Sequence, residues 1–324
     1  GFTCTDGSSS TGPRNYYNSS GHNFVAWCWK AGGAPSGATS ATGSAKRINS
    51  SGTQDDTSCE AIRNDALGGS SNPGEDTANH MYTPSAMSIN QQSGFSILTY
   101  QGHGTNTYRR IPHGLNKKPD FAIFKQLTDS GYSWRVYHKS IGATHSLQLE
   151  TTNAAAGYSY WWNNTEPTDK YFTVNNDGAL QQDGKNFVAY IWTEIPGFSA
   201  FGSFTGNNST DGPMIHLGFS PALVICKLYT GTSNSSYHSW VIYDNVRQTA
   251  NPNHSPLFAN KSVTEGYRGD GTTTSGGETL YLDFLSNGFK CRANGTELNG
   301  NGGANDKFVY IAFAEMPQKF SVAK

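Results

Sequence analysis

Nine histidines and 24 carboxylates lie scattered along 324 residues, and chemistry requires that some of them share a spacing. His103 and His113 flank "GHGTNTYRRIPHG"; if that stretch is a hairpin turning over residues 105–107, the two rings converge as metal ligands. A second stretch of the chain that repeats this one keeps His216 near one position but has Ser209, Thr210 and Asp211 near the other, so a satisfied surface histidine is the better reading. His138 of "WRVYHK" is replaced by Asp244 in the same comparison, which argues against a shared catalytic base. Acyl transfer and zinc proteolysis need a GxSxG elbow or an HExxH pair, and neither is written here. Glycoside hydrolysis needs two carboxyls at a set separation. Glu194 and Glu315 end equivalent strands, and Asp120 and Asp283 sit near strand ends, but they belong to different copies or different positions. "NNDGALQQDG" (175–184) lacks the order of a calcium loop and reads as an Asx-rich turn. Five cysteines (Cys4, Cys28, Cys59, Cys226 and Cys291) have no CxxC spacing; they read as buried thiols, with one bridge among the first three left open. The expectation is a protein that is not an enzyme, with no cofactor and no metal.

What remains is a set of aromatic, amide-rich loops: "GYSYWWNNTEPTD" (157–169), "NSSYHSW" (234–240) and "TEGYRGDGTTTSGGE" (264–278). Tyr160, Trp161, Trp162 and Asn163, flanked by Tyr158 and Asn164, combine flat apolar faces with amide hydrogen-bonding groups, the means by which proteins hold sugars. They form the candidate glycan-binding set. The competing reading is that one tryptophan plugs the end of a sandwich or a contact between subunits. The "RGD" at 268–270 is short enough to arise by accident and carries no weight, and the sequons at Asn18, Asn49 and Asn294 matter only in a eukaryotic secretory route.

The elements that must position such loops follow from composition. Charged residues make up 15% of the chain against the usual quarter, aromatics reach 13%, and Gly, Ser, Thr and Asn are abundant. This is the profile of short strands joined by many turns, an all-β protein. A net charge of -1 with both signs dispersed leaves no basic stripe for phosphates and no polybasic segment for a membrane surface. No run approaches the roughly 18 apolar residues of a membrane span, and no signal peptide precedes Gly1. Nucleic acid and membrane insertion are therefore not expected.

The strands repeat. "NFVAWCWK" (23–30), "NFVAYIWTE" (186–194) and "KFVYIAFAE" (307–315) share an opening Phe-Val, with Trp or Phe five residues after the first Phe. Aligned outward from these, "GFSILTYQG" (94–102), "HGLNKKPDFAIFK" (113–125), "WRVYH" (134–138) and "KYFTVNNDG" (170–178) are followed in the same order by "GFSAFGSFTG" (197–206), "HLGFSPALVICK" (216–227), "WVIYD" (240–244) and "LDFLSNGFKC" (282–291). Residues 93–198 and 199–324 thus read as tandem antiparallel β-sandwich repeats of jelly-roll or Greek-key type. "PDFAIFK" and "PALVICK" are apolar on both faces, which suits central strands covered on both sides. "GFTC" at 1–4 matches "GFKC" at 288–291, so residues 1–31 read as an N-terminal half-repeat, the C-terminal part of a truncated unit that needs a neighbour to pair with. Residues 32–92, rich in Gly, Pro and Ser, read as a loop-rich connector laid as an ordered arm over a neighbour by anchors such as Ile48, Cys59, Ile62, Leu67 and Met81.

The combination of "NFVAWCWKAGG", "SGFSILTYQG", "HGLNKKPDFAIFK", "WRVYHK", "NNTEPTDKYFTV", "FGSFTGNNSTDGP", "GFSPALVICK" and "YIAFAEMP" resembles the repeated domain of unknown function of marine bacteriophage structural proteins, often attached to laminin-G-like sandwiches. The likeness covers nearly all of the chain outside residues 48–82. It implies a virion surface component, such as a tail fibre, spike or head fibre, that works outside the cell among other virion proteins. It brings no catalytic residues. A homo-oligomer, a trimer by the habit of viral fibres, touching host-surface glycan is the functional expectation. A capsid decoration or sheath protein that tiles a surface without receptor binding is the first alternative, and a glycan-degrading spike the second.

Overall fold

A computed structural model describes residues 21, 23–35, 43–68, 80–103, 107–231, 237–267, 279–300 and 306–315. The chain divides into two compact units, Gly1–Lys30 and Ala31–Lys324. In the first unit, residues 23–30 form no strand, and Phe24 (49% exposed) and Val25 (37%) face solvent. The closing strand expected there does not appear among the described residues, and the "GFTC" of residues 1–4 lies outside them.

The second unit is built from strands. Its first half holds β1 (Ser44–Ile48), β2 (Gln54–Ser58), α1 (Cys59–Ala66), β3 (Ala86–Asn90), β4 (Phe95–Gln101), β5 (Arg109–Pro112), β6 (Phe121–Gln126), β7 (Arg135–His138), β8 (His145–Gln148), β9 (Ala156–Gly157), α2 (Ser159–Trp162), β10 (Tyr171–Val174) and β11 (Asn186–Trp192). Its second half holds β12 (Ser199–Thr205), β13 (Met214–His216), β14 (Leu223–Thr230), β15 (Trp240–Asp244), β16 (Leu257–Phe258), β17 (Leu282–Leu285), β18 (Gly288–Cys291), α3 (Thr296–Asn299) and β19 (Lys307–Phe313). A nine-stranded sheet runs β2-β1-β3-β4-β11-β6-β7-β8-β9 and faces the pair β10-β5; a five-stranded sheet runs β12-β19-β14-β15-β16 and faces β13-β18-β17.

Strand order in the two halves corresponds element by element: β4-β11-β6-β7-β8 with β12-β19-β14-β15-β16, and β5-β10 with β13-β18. The strands that Pro119 and Pro221 precede, β6 and β14, hold the same place in their sheets. Hydrogen bonds correspond too. Asp120 N donates to Trp192 O (2.9 Å) as Ala222 N does to Phe313 O (2.7 Å), and Gly102 N to Lys185 O (2.8 Å) as Gly206 N to Asp306 O (2.9 Å). The backbone N–H of Trp134 reaches Glu150 Oε2 at 3.1 Å, and that of Trp240 reaches Asn260 Oδ1 at 2.8 Å. One sequence match slips by a residue: Phe95 opposes Trp192 whereas Ser199 opposes Phe313, so register pairs Phe95 with Ser199 rather than with the Phe of the second "GFS".

Side-chain alternation explains the layers. Leu98, Tyr100, Ala122, Phe124, Tyr137, Phe187 and Ile191 point from the large sheet of the first half onto Ile111, Phe172 and Val174 of β5 and β10. Val224, Cys226, Val241, Tyr243 and Ala312 do the same over Ile215, Phe289 and Cys291. The residues between them, Phe121, Val136, Trp192, Leu223, Val309 and Ile311, are also buried. They lie on the opposite faces, where the two large sheets meet: Phe121 and Phe201 stack at 5.7 Å, and His138 Nε2 lies 3.1 Å from Tyr310 O. Each such side chain, fully buried, stabilises by roughly 1.5–3 kcal/mol.

Residues 32–92 are more than loop. β3 pairs antiparallel with β4 and extends the sheet, and β1 pairs parallel with β3, so the large sheet is not purely antiparallel as expected. A parallel pair needs a long crossover, and α1 lies in it. Ser58 caps that helix by accepting from Ala61 N at 3.0 Å, and the helix buries Cys59 and Ile62 against the sandwich edge.

Candidate functional site

The four residues of the candidate sugar site occupy one helical turn between two short extended pieces. Tyr158 is extended (φ -148°, ψ 132°), α2 makes a single turn, and Asn163 (φ 53°) closes it in the left-handed region, with Asn164 (φ 49°) following in the same conformation. Asparagine tolerates that region better than most side chains. Asn175 ties the turn down: its N–H donates to Trp161 O (2.8 Å) and its Nδ2 to Ser159 O (3.1 Å) and Asn163 Oδ1 (3.2 Å).

Trp162 has no exposed surface. Its ring centroid lies 5.4 Å from Phe124, 5.9 Å from Tyr137 and 5.8 Å from Phe172, and Nε1 donates to His145 O at 3.0 Å. Trp161 is also buried. The Arg135 guanidinium covers its ring at 4.4 Å, and Nε1 donates to Asp177 Oδ2 (3.2 Å), which Arg135 Nη2 also approaches at 3.7 Å. Burial pushes the Arg135 guanidinium below its ordinary pKa, against the pull of Asp177 and Glu150. Neither tryptophan has a face to offer a sugar, which corrects their place in the candidate set: both belong to the core. Asn163 is half-buried and engaged with Asn175. Tyr160 is 61% exposed and Tyr158, whose ring meets the edge of Trp161 at 5.2 Å, is 58% exposed. The turn therefore presents two tyrosine rings, two residues apart, on a base of buried indoles. Arg135 and Asp177 brace that base; in the sequence "WRVYH" marks Arg135 only as a strand residue and "NNDGALQQDG" marks Asp177 only as part of an Asx-rich turn.

The histidines separate. His113 is buried, not at the surface: Nδ1 accepts from Leu115 N (3.2 Å), so Nε2 carries the proton toward Thr168 O (3.3 Å), and burial lowers its pKa to about 4. The ring of His103 instead stacks on Tyr82 at 5.7 Å. His138 repeats the first pattern, with Ser140 N on Nδ1 (3.2 Å), Tyr310 O opposite Nε2 and a pKa lowered to about 4 by burial. Among the described residues no group of three His, Cys, Asp or Glu side chains converges on a metal position. Cys28, Cys59, Cys226 and Cys291 are free thiols, and Cys4 lies outside the described residues.

Of the carboxylates, Asp120 and Glu194 do come together, but around a cation: Lys139 Nζ lies 3.0 Å from Asp120 Oδ1 and 2.8 Å from Glu194 Oε2. Glu315 is exposed, and Asp283 pairs with Arg292 at 3.4 Å. A lysine shared between two carboxylates holds strand ends together.

One cluster was not foreseen. Lys227 is fully buried between the halves, where Nζ donates to His238 O and to Thr151 O (3.2 Å) and lies 5.3 Å over the Trp240 ring. Trp240 Nε1 reaches across to Gln148 O at 2.8 Å. Burial lowers the Lys227 pKa to about 7. The first half has the same device in Lys125, which donates to Tyr132 O and lies 5.9 Å over Trp134. A near-neutral lysine is a reactive amine elsewhere, but Lys227 has no surface through which a substrate could reach it. It is a joint.

Comparison with curated proteins and with solved structures yields no match. A family model does match, over residues 70–317, from the approach to β3 through both halves to just past β19. On that match the chain belongs to the DUF7483 family, a domain of unknown function.

Proposed function

We propose that the chain is a non-enzymatic structural protein of a virion surface, a tail fibre, spike or head fibre that works outside the cell. In this reading it is made of two β-sandwich copies in tandem, of jelly-roll or Greek-key type, with residues 1–31 as the end of a third. It associates with itself and with other virion proteins and touches host-surface glycan. The observation that carries the glycan contact is the pair Tyr158 and Tyr160, each more than half exposed on a turn anchored by buried Trp161 and Trp162. Each ring stacked on a sugar contributes on the order of 1 kcal/mol, so one site binds weakly and many copies on one particle supply avidity. The tiling alternative, a decoration or sheath protein without receptor, draws support from the burial of the tryptophans, which removes two of the four aromatic rings of this turn.

The experiment is adsorption of the purified chain to host cells with Tyr158→Ala and Tyr160→Ala, alone and together, alongside an assay for new reducing ends. Loss of adsorption in the double variant with unchanged unfolding supports the contact. Unchanged adsorption leaves the tile. Release of reducing ends by the wild type overturns the non-enzyme reading and favours the glycan-degrading spike.

A further inference from the structure

The two large sheets end in four edge strands, and three of them are blunted. β2 carries Asp55 and Asp56, held by Arg47 (2.8 Å) and Lys46 (3.0 Å), while β9 and β16 are two residues long. The fourth, β12, is seven residues long and reads Ser-Ala-Phe-Gly-Ser-Phe-Thr, with no charge and no proline. Proteins usually protect a long edge by charge, proline, shortness or cover. In the first half the corresponding edge is covered: β3 lies antiparallel on β4, opposing its residues from Phe95 to Thr99. By register these correspond to residues 199–203 of β12. β3, β1 and α1 also seal the core beneath, through Met87, Ile89, Ala45, Cys59 and Ile62. Beside β12 nothing equivalent stands among the described residues; Phe204, Leu217 and Phe284 are half-buried and Met214 is 50% exposed.

The backbone of β12 shows which groups look outward. Phe201 N donates away from β19 to Glu194 Oε2 at 3.3 Å, so with the period of two the N–H and C=O of Ser203 and Thr205 face the same open side. Both side chains are exposed. The covered counterpart takes an antiparallel strand, and a second copy of β12 related by a twofold axis is antiparallel by symmetry.

We propose that β12 is the contact through which two copies of this chain pair, antiparallel about a twofold axis at Ser203, so that the two five-stranded sheets become one. Ser203 of each copy then exchanges both backbone bonds with Ser203 of the other, and Thr205 N–H meets Phe201 O across the axis. The pairing is independent of the glycan reading.

The test uses the axis. A charge placed at Ser203 sits opposite itself in the pair, and like charges directly opposed across strands are destabilising whereas opposite charges stabilise. Molecular mass in solution is measured by light scattering for the whole chain as wild type, Ser203→Glu, Ser203→Lys, Ser203→Gln and a 1:1 mixture of the two charged variants. The expected result is twice the single-chain mass for wild type and Ser203→Gln, the single-chain mass for each charged variant alone, and recovery of the double mass on mixing. Near-UV circular dichroism identical to wild type shows that the charged variants are folded; the uncharged Ser203→Gln carries the size control. A wild type of single or triple mass, charged variants that keep the double mass, or a mixture that stays single overturns the proposal. So does a single-mass wild type whose Ser203 and Thr205 amides resist hydrogen exchange, since a segment of the same chain then covers the edge.

Discussion

Replacing Trp162 by alanine separates a core residue from a binding residue at a position that the sequence offers to both readings. The indole has no exposed surface and packs on Phe124, Tyr137 and Phe172. Truncating a buried ring of this size costs about 3–5 kcal/mol, because the removed atoms lose their transfer free energy and the surrounding rings close the cavity only in part. Trp162→Ala also leaves the His145 carbonyl without its 3.0 Å donor, which adds about 1 kcal/mol or more. In a unit of this length each kcal/mol moves the melting temperature by about 2–4 °C, so a drop on the order of 10 °C is expected. Trp162→Phe keeps most of the packing and loses the hydrogen bond, and should cost about 1–3 kcal/mol. Tyr160→Ala, at an exposed ring, should change stability by no more than about 0.5 kcal/mol. Differential scanning calorimetry on the three variants decides. A Trp162→Ala protein that melts with the wild type would refute the placement of this ring and, with it, the assignment of the turn's exposed face to the tyrosines.

Three further outcomes are expected. Lys227 has its pKa lowered from 10.5 to about 7, so between those values the unfolded chain holds a proton that the folded chain does not, and stability rises with pH across the window; Lys227→Met should flatten the rise in urea midpoint from pH 7 to 9, and an unaltered rise contradicts the joint. His113, lowered to about 4, is neutral when folded and protonated when unfolded between its ordinary 6.5 and that value. Stability should therefore fall as pH drops through this range, with a shallower fall in His113→Asn, measured by urea midpoints at pH 7 and 4.5. Asn299 is buried and donates through Nδ2 to Asn207 Oδ1 (3.0 Å), Ser209 O (2.7 Å) and Ala293 O (3.1 Å); Asn299→Ala should cost about 1–3 kcal/mol, and calorimetry showing no loss would remove it as the hub of that loop.

The correspondence of the halves was legible because its signals are local and written twice. The six-residue spacing from Pro119 to Lys125 recurs from Pro221 to Lys227, and strands apolar on both faces announce a layer on each side. The extension before β4 was not legible in the same way. "SAKRI" and "QDDTS" carry charges and little apolar surface, and they are strands only because β3 and one another supply partners. Nor could sequence tell that both adjacent tryptophans point inward. In a one-turn helix the answer is set by what lies beneath, here Phe124 and Phe172 from distant strands. The histidines mislead for a related reason: His113 looks like a surface residue in a polar stretch, yet both of its ring nitrogens are met by backbone groups of its own loop and of residue 168.

The central functional claim is that the exposed tyrosines of one anchored turn contact a saccharide. It is tested most directly by titrating the ring-labelled chain with host-surface polysaccharide and following tyrosine and tryptophan resonances. The expected result is saturable shifts confined to Tyr158 and Tyr160, with the indole signals of Trp161 and Trp162 unmoved and the polysaccharide intact afterwards. Tyrosine resonances that do not move at any saccharide concentration would contradict it.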